Sequence, residues 1–89
     1  MPRYLVERSF VVGVGAIDHD AAAGHRDAVI QANAREGVTW LHSLVTPDRR
    51  RSFCIVESPS PEAIRVAAQA TALPVDRITE VRVFDPYSL

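Results

Sequence analysis

Val38-Thr39-Trp40-Leu41-His42-Ser43-Leu44-Val45-Thr46-Pro47-Asp48-Arg49-Arg50-Arg51-Ser52-Phe53-Cys54-Ile55-Val56-Glu57-Ser58-Pro59-Ser60-Pro61-Glu62 carries a hairpin and a helix start in succession. Val38 to Thr46 and Ser52 to Glu57 are rich in β-branched and aromatic residues and predict two strands. Between them Pro47-Asp48-Arg49-Arg50 is a turn, because proline presets φ and aspartate bonds to nearby backbone. Ser60-Pro61-Glu62 then opens a helix: serine caps, proline fits the first helical position, and glutamate suits the positive end of the helix dipole.

Past this start, Ile64, Ala67, Ala68 and Thr71 follow at helical spacing until Leu73-Pro74 stops the helix. Arg77 to Phe84 predicts a last strand, closed by Asp85-Pro86. Upstream, Tyr4 to Val12 alternates as a first strand. The Ala-rich stretch from about Asp20 to Glu36 predicts a helix that Gly37 ends. The order is βαββαβ over a single domain, residues 1–89. That order predicts an α+β, ferredoxin-like sandwich: a four-stranded antiparallel sheet with two helices on one face and the other face open.

A chain of 89 residues buries a modest fraction of its surface, so it needs a supplement to its own core. One cysteine excludes an internal disulfide framework, which leaves a metal or a partner subunit. A net charge of −1 with 47% hydrophobic residues describes a soluble globular protein without the electrostatic footprint of a nucleic-acid binder. Arg3 and Arg8 precede the apolar run Ser9 to Ile17, but Glu7 interrupts the basic region and Asp18-His19-Asp20 replaces a cleavage site. The run is too short to cross a bilayer, so no membrane partner is expected. The expected location is cytoplasmic, where a lone Cys54 stays reduced.

The hairpin turn sets a register. Thr46 faces Arg51, and Leu44, His42 and Trp40 face Phe53, Ile55 and Glu57. Leu41, Ser43 and Val45 then share the opposite face with Ser52, Cys54 and Val56. The same period groups Glu7 with Leu5 and Ser9, and Glu80 with Ile78, Arg82 and Phe84. One face therefore collects Glu7, Trp40, His42, Glu57, Glu80 and Arg82 beside large apolar groups. It is too apolar for water and too charged for an ordinary core. A homodimer whose sheets face one another, a dimeric α+β barrel, resolves both problems.

Glu7, His42, Glu57 and Glu80 on that face offer imidazole and carboxylate donors for nickel or another divalent transition metal. Neutralisation of the carboxylates by Arg82, and by Arg8 or Arg3, is the simpler use of the same residues. Asp18, His19, Asp20 and His25 form an alternative surface site at the start of the first helix. A different use of the open face is enzymatic: facing sheets of a cofactor-independent monooxygenase or isomerase enclose a pocket, with His42 as acid–base residue and Glu7 or Glu57 orienting it. Nothing in the sequence indicates an organic cofactor. Gly13-Val14-Gly15 is not a phosphate loop, since Asp18 stands where a third glycine belongs. Arg49-Arg50-Arg51 is a solvated turn tip, and Cys54 a small buried hydrophobe.

Four runs resemble a known family: Met1-Pro2-Arg3-Tyr4-Leu5-Val6-Glu7-Arg8, Gly37-Val38-Thr39-Trp40-Leu41-His42-Ser43, Phe53 to Arg65, and Leu73 to Val83. They are similar to the nickel-responsive, nickel-binding small proteins of actinobacteria, a group long catalogued as a domain of unknown function. The resemblance covers most of the chain outside residues 9–35. It implies a dimeric ferredoxin-like fold, binding of nickel or a related divalent metal, and a sequestering or buffering role. Val11 to Ala23 departs from the family, so no ligand is carried over there. Thr71-Ala72 stands where an Asn-Gly helix ending is expected.

Overall fold

The computed structural model describes residues 1–10 and 19–88, with side chains from Arg26 onward in the second stretch. The apolar run through Ile17, Gly13-Val14-Gly15 and Asp18 therefore lie outside the described residues. The elements are β1 (Arg3–Ser9), α1 (His19–Arg35), β2 (Thr39–Val45), β3 (Arg51–Glu57), α2 (Pro61–Ala70) and β4 (Arg77–Val81). The strands form one sheet in the order β2-β3-β1-β4, with all three pairings antiparallel. This is the ferredoxin-like α+β arrangement that the element order predicts. No described helix is long and apolar enough to cross a membrane.

Alternation along β1 and β3 divides the sheet into its two faces. Tyr4, Val6 and Arg8 from β1, and Ser52, Cys54 and Val56 from β3, turn to the helices and are buried. Val38 and Ile64 complete this core, and Trp40, Val75 and Ile78 pack against it. α2 contributes Ile64, Ala67 and Ala68 as its buried stripe, the spacing expected of an amphipathic helix. Arg3, Leu5, Glu7, Phe53, Ile55 and Glu57 lie on the other face and are half-buried.

Both helices end in the same way. At the end of α1, Val38 donates its N–H to the Asn33 carbonyl at 2.9 Å and Gly37 donates to Ala34 at 3.1 Å. Gly37 has φ 72°. At the end of α2, Leu73 donates to Ala68 at 3.0 Å and Ala72 to Gln69 at 3.2 Å, with Ala72 at φ 53°. These are paired Schellman closures, one on glycine and one on alanine. The start of α2 is capped by the Ser60 hydroxyl, which accepts from the Ala63 N–H at 3.2 Å. The β2–β3 turn closes through Thr46, whose N–H donates to the Arg51 carbonyl at 3.0 Å.

Two expected face assignments are corrected. The register steps from Trp40↔Val56 to His42↔Ile55, so Leu41 is an extra residue in β2. This bulge restores strict alternation only beyond it and rotates Trp40 to the helix side. The second correction concerns β4. Pairing of Tyr4 with Glu80 and Leu5 with Thr79 puts Glu80 and Ile78 on the helix side of the sheet, and Thr79 and Val81 on the open side. That is the reverse of the grouping drawn from periodicity, and a one-residue slip in register is enough to cause it. β4 also ends at Val81, so Arg82 and Phe84 lie beyond the last strand.

Candidate functional site

The open face is organised in rows across the sheet. One row reads Thr39, Glu57, Arg3, Val81; the next His42, Ile55, Leu5, Thr79; the third Leu44, Phe53, Glu7, Arg77. His42 sits on the edge strand and is exposed, diagonal to Glu57. Diagonal neighbours on a sheet stand about 7–8 Å apart, within reach of long side chains. Glu7 lies two strands from His42. Glu80 points to the helix side and does not belong to this group.

Each open-face carboxylate already has a cation. Arg3 Nε meets Glu57 Oε1 at 3.2 Å, and Arg51 Nη2 meets Glu7 Oε1 at 3.5 Å. Arg51 also lies over the Phe53 ring, 5.1 Å from its centroid. In the sequence Arg51 reads as a solvated turn residue, whereas it opens β3. Its position two residues before Phe53 on the same face was the signal that it belongs to the sheet. Arg8 departs from the expectation that it neutralises a carboxylate, because alternation turns it to the helices.

These pairs decide what one chain can hold. No three of His, Cys, Asp and Glu come together in a way that could hold a metal ion, among the described residues. His42 and Glu57 supply two donors at most from one protomer. The alternative cluster of Asp18, His19, Asp20 and His25 falls outside the described residues and side chains. On the helix side, Trp40 Nε1 donates to Ser43 Oγ at 2.8 Å, and Ser43 Oγ donates to Cys54 Sγ at 3.0 Å. Cys54 is buried as expected, and this chain satisfies the polar atoms around it.

An antiparallel four-stranded sheet, helices on one face and an apolar, ion-paired face left open define a small ferredoxin-like α+β protein. The family description "Nickel responsive protein SCO4226-like" matches residues 4–81, and the chain belongs to that family. Among solved structures it is similar to the crystal structure of SCO4226 from Streptomyces coelicolor A3(2), at TM-score 0.74 and 19% identity. That likeness covers 93% of this chain and 99% of the other. Comparison with proteins of curated function finds no match.

Proposed function

We propose that the protein binds nickel or a related divalent transition metal and sequesters or buffers it in the cytoplasm, as a homodimer joined through the open sheet faces. Membership of a nickel-responsive family over residues 4–81 carries the reading. The donor chemistry of the open face agrees with it, since imidazole and carboxylate suit nickel, zinc and copper. His42 and Glu57 form the nucleus of the site, with Glu7 as a further donor. One chain lacks a third convergent ligand among the described residues, so a second copy completes the coordination across the two-fold axis.

The ion pairs are no obstacle. Both are partly exposed, with side-chain accessibilities of 42% and 30% for Arg3 and Glu57 and 51% and 20% for Arg51 and Glu7. Such pairs contribute about 0–1 kcal/mol, whereas micromolar metal binding releases about 8 kcal/mol. A metal therefore displaces an arginine at small cost.

Titration calorimetry with nickel, zinc and cobalt on chelator-treated protein tests the reading. Binding in the micromolar range or tighter is expected, and no heat with any of the three metals refutes it. His42→Ala is expected to abolish binding. Retention in His42→Ala together with loss in His19→Ala moves the site to the first helix and refutes the sheet-face assignment.

A further inference from the structure

Between the helix side of the sheet and the two helices lies a cavity of about 230 Å3. Its walls are largely apolar, including Val29, Val38, Trp40, Val56 and Ile64. Two arginines, Arg8 and Arg26, line it, and no carboxylate does among the described residues. Arg8 is only 8% exposed. Its Nη1 donates to the Pro74 carbonyl at 2.8 Å, and it joins no ion pair among the described residues. A guanidinium carries five N–H donors in a planar fork. Among the described residues the Pro74 carbonyl is its one acceptor, and since no buried side-chain nitrogen lacks a partner there, the rest of the fork is open to the cavity it lines.

The geometry points to a binding site for a small apolar monocarboxylate, an aromatic or branched-chain acid, with its carboxylate on Arg8 and its hydrocarbon body against the apolar walls. Size, charge and shape each support this class. An aliphatic cavity of about 150 Å3 admits benzene, so the space here takes one ring with a short acid arm. A single buried cation balances a monoanion, whereas a phosphate dianion needs further donors. The guanidinium fork matches a carboxylate in two parallel hydrogen bonds. This site is independent of the metal reading, because it lies on the opposite face of the sheet from His42, Glu57 and Glu7.

Two residues in the wall report occupancy. Trp40 is the sole tryptophan, and Cys54 the sole cysteine. The probes are phenylacetate and isovalerate, with 2-phenylethanol as the neutral counterpart of the first. Phenylacetate is expected to change Trp40 emission saturably and to slow modification of Cys54 by a thiol reagent in proportion to occupancy. The alcohol is expected to bind at least about tenfold more weakly, because it leaves the Arg8 charge unpaired. Arg8→Gln should remove the preference for acid over alcohol. No saturable change with either acid up to about 10 mM overturns the proposal, a concentration well above the millimolar limit of weak specific binding. Equal binding of acid and alcohol overturns it as well. Should Arg8→Gln fail to fold, the acid and alcohol comparison on the unaltered protein decides alone.

Discussion

Asp48 shows how one carboxylate organises a turn. Its Oδ1 accepts from the Thr46 hydroxyl at 2.7 Å and from the Arg50 N–H at 3.0 Å. The Thr46 hydroxyl bond first, and then the Arg50 N–H bond, hold its pKa below the ordinary value. A folded pKa below the unfolded one gives stability that is present above the unfolded pKa and lost as pH falls through the folded one. Asp48→Asn keeps acceptor geometry and removes the charge. Thermal melts should therefore show the variant less stable above about pH 5, with the difference closing as the pH drops below the ordinary carboxylate range near 3.9. A difference that grows on acidification contradicts this account. The open-face carboxylates behave otherwise. Glu57→Gln and Glu7→Gln each break a partly exposed pair, so chemical denaturation should register losses of under about 1 kcal/mol apiece. Any larger effect on metal binding then belongs to the lost ligand and not to the fold.

At the scale of elements, the two Schellman closures make a matched experiment. Gly37 and Ala72 hold the same position in the same motif with left-handed φ. An alanine pays for that region while glycine does not, and glycine loses more freedom on folding. The balance predicts Ala72→Gly stabilising by about 0.5–1 kcal/mol and Gly37→Ala destabilising by a similar amount. A Cβ at Gly37 meets Pro59 at 3.9 Å, ordinary contact, so the cost there is conformational and not steric. Denaturant midpoints on the two variants should move in opposite directions. The same elements show where sequence reasoning succeeds and stops. The Ser60 cap, the Pro47–Arg50 turn and the stop at Gly37 are local chemistry, legible because each acts within a few residues. Leu44 and His42 are placed correctly because they lie between the turn and the bulge. Trp40 is misplaced because nothing in Thr39-Trp40-Leu41-His42 announces an extra residue; packing of the indole into the core selects it. Glu80 is misplaced for a related reason. No turn ties β4 to β1, so its register is chosen by Ile78 entering the core beside Val6. Thus the donors Glu7, His42 and Glu57 were legible as a face, while the membership of Glu80 depended on a long-range pairing.

For the whole molecule, the open face poses the question of what covers it. Leu44 is 63% exposed at the edge-strand end of a row that continues through Phe53 and Glu7. Phe53, Ile55 and Leu5 beside it are only half-buried within one chain. Contiguous apolar surface of this kind marks an interaction site, and a sheet face that pairs with its own copy forms an isologous interface. The exposure of Leu44 makes a clean separation of folding from association possible. Leu44→Glu touches little of the protomer core, so helix and sheet signals in circular dichroism should persist with a change in stability within about 0.5 kcal/mol. Across a two-fold interface the same change sets two unpaired carboxylates in an apolar seam, at a cost of several kcal/mol. Light scattering should then report a dimer for the unaltered protein and a monomer for Leu44→Glu at micromolar concentration. If the second copy completes the metal coordination, nickel affinity should fall at least about tenfold in the same variant, a coupling of about 1.4 kcal/mol, although neither His42 nor Glu57 has changed. A folded monomer that keeps full nickel affinity would show that the donors of one chain suffice, and would place the site away from the sheet face, where fewer than three of them converge among the described residues.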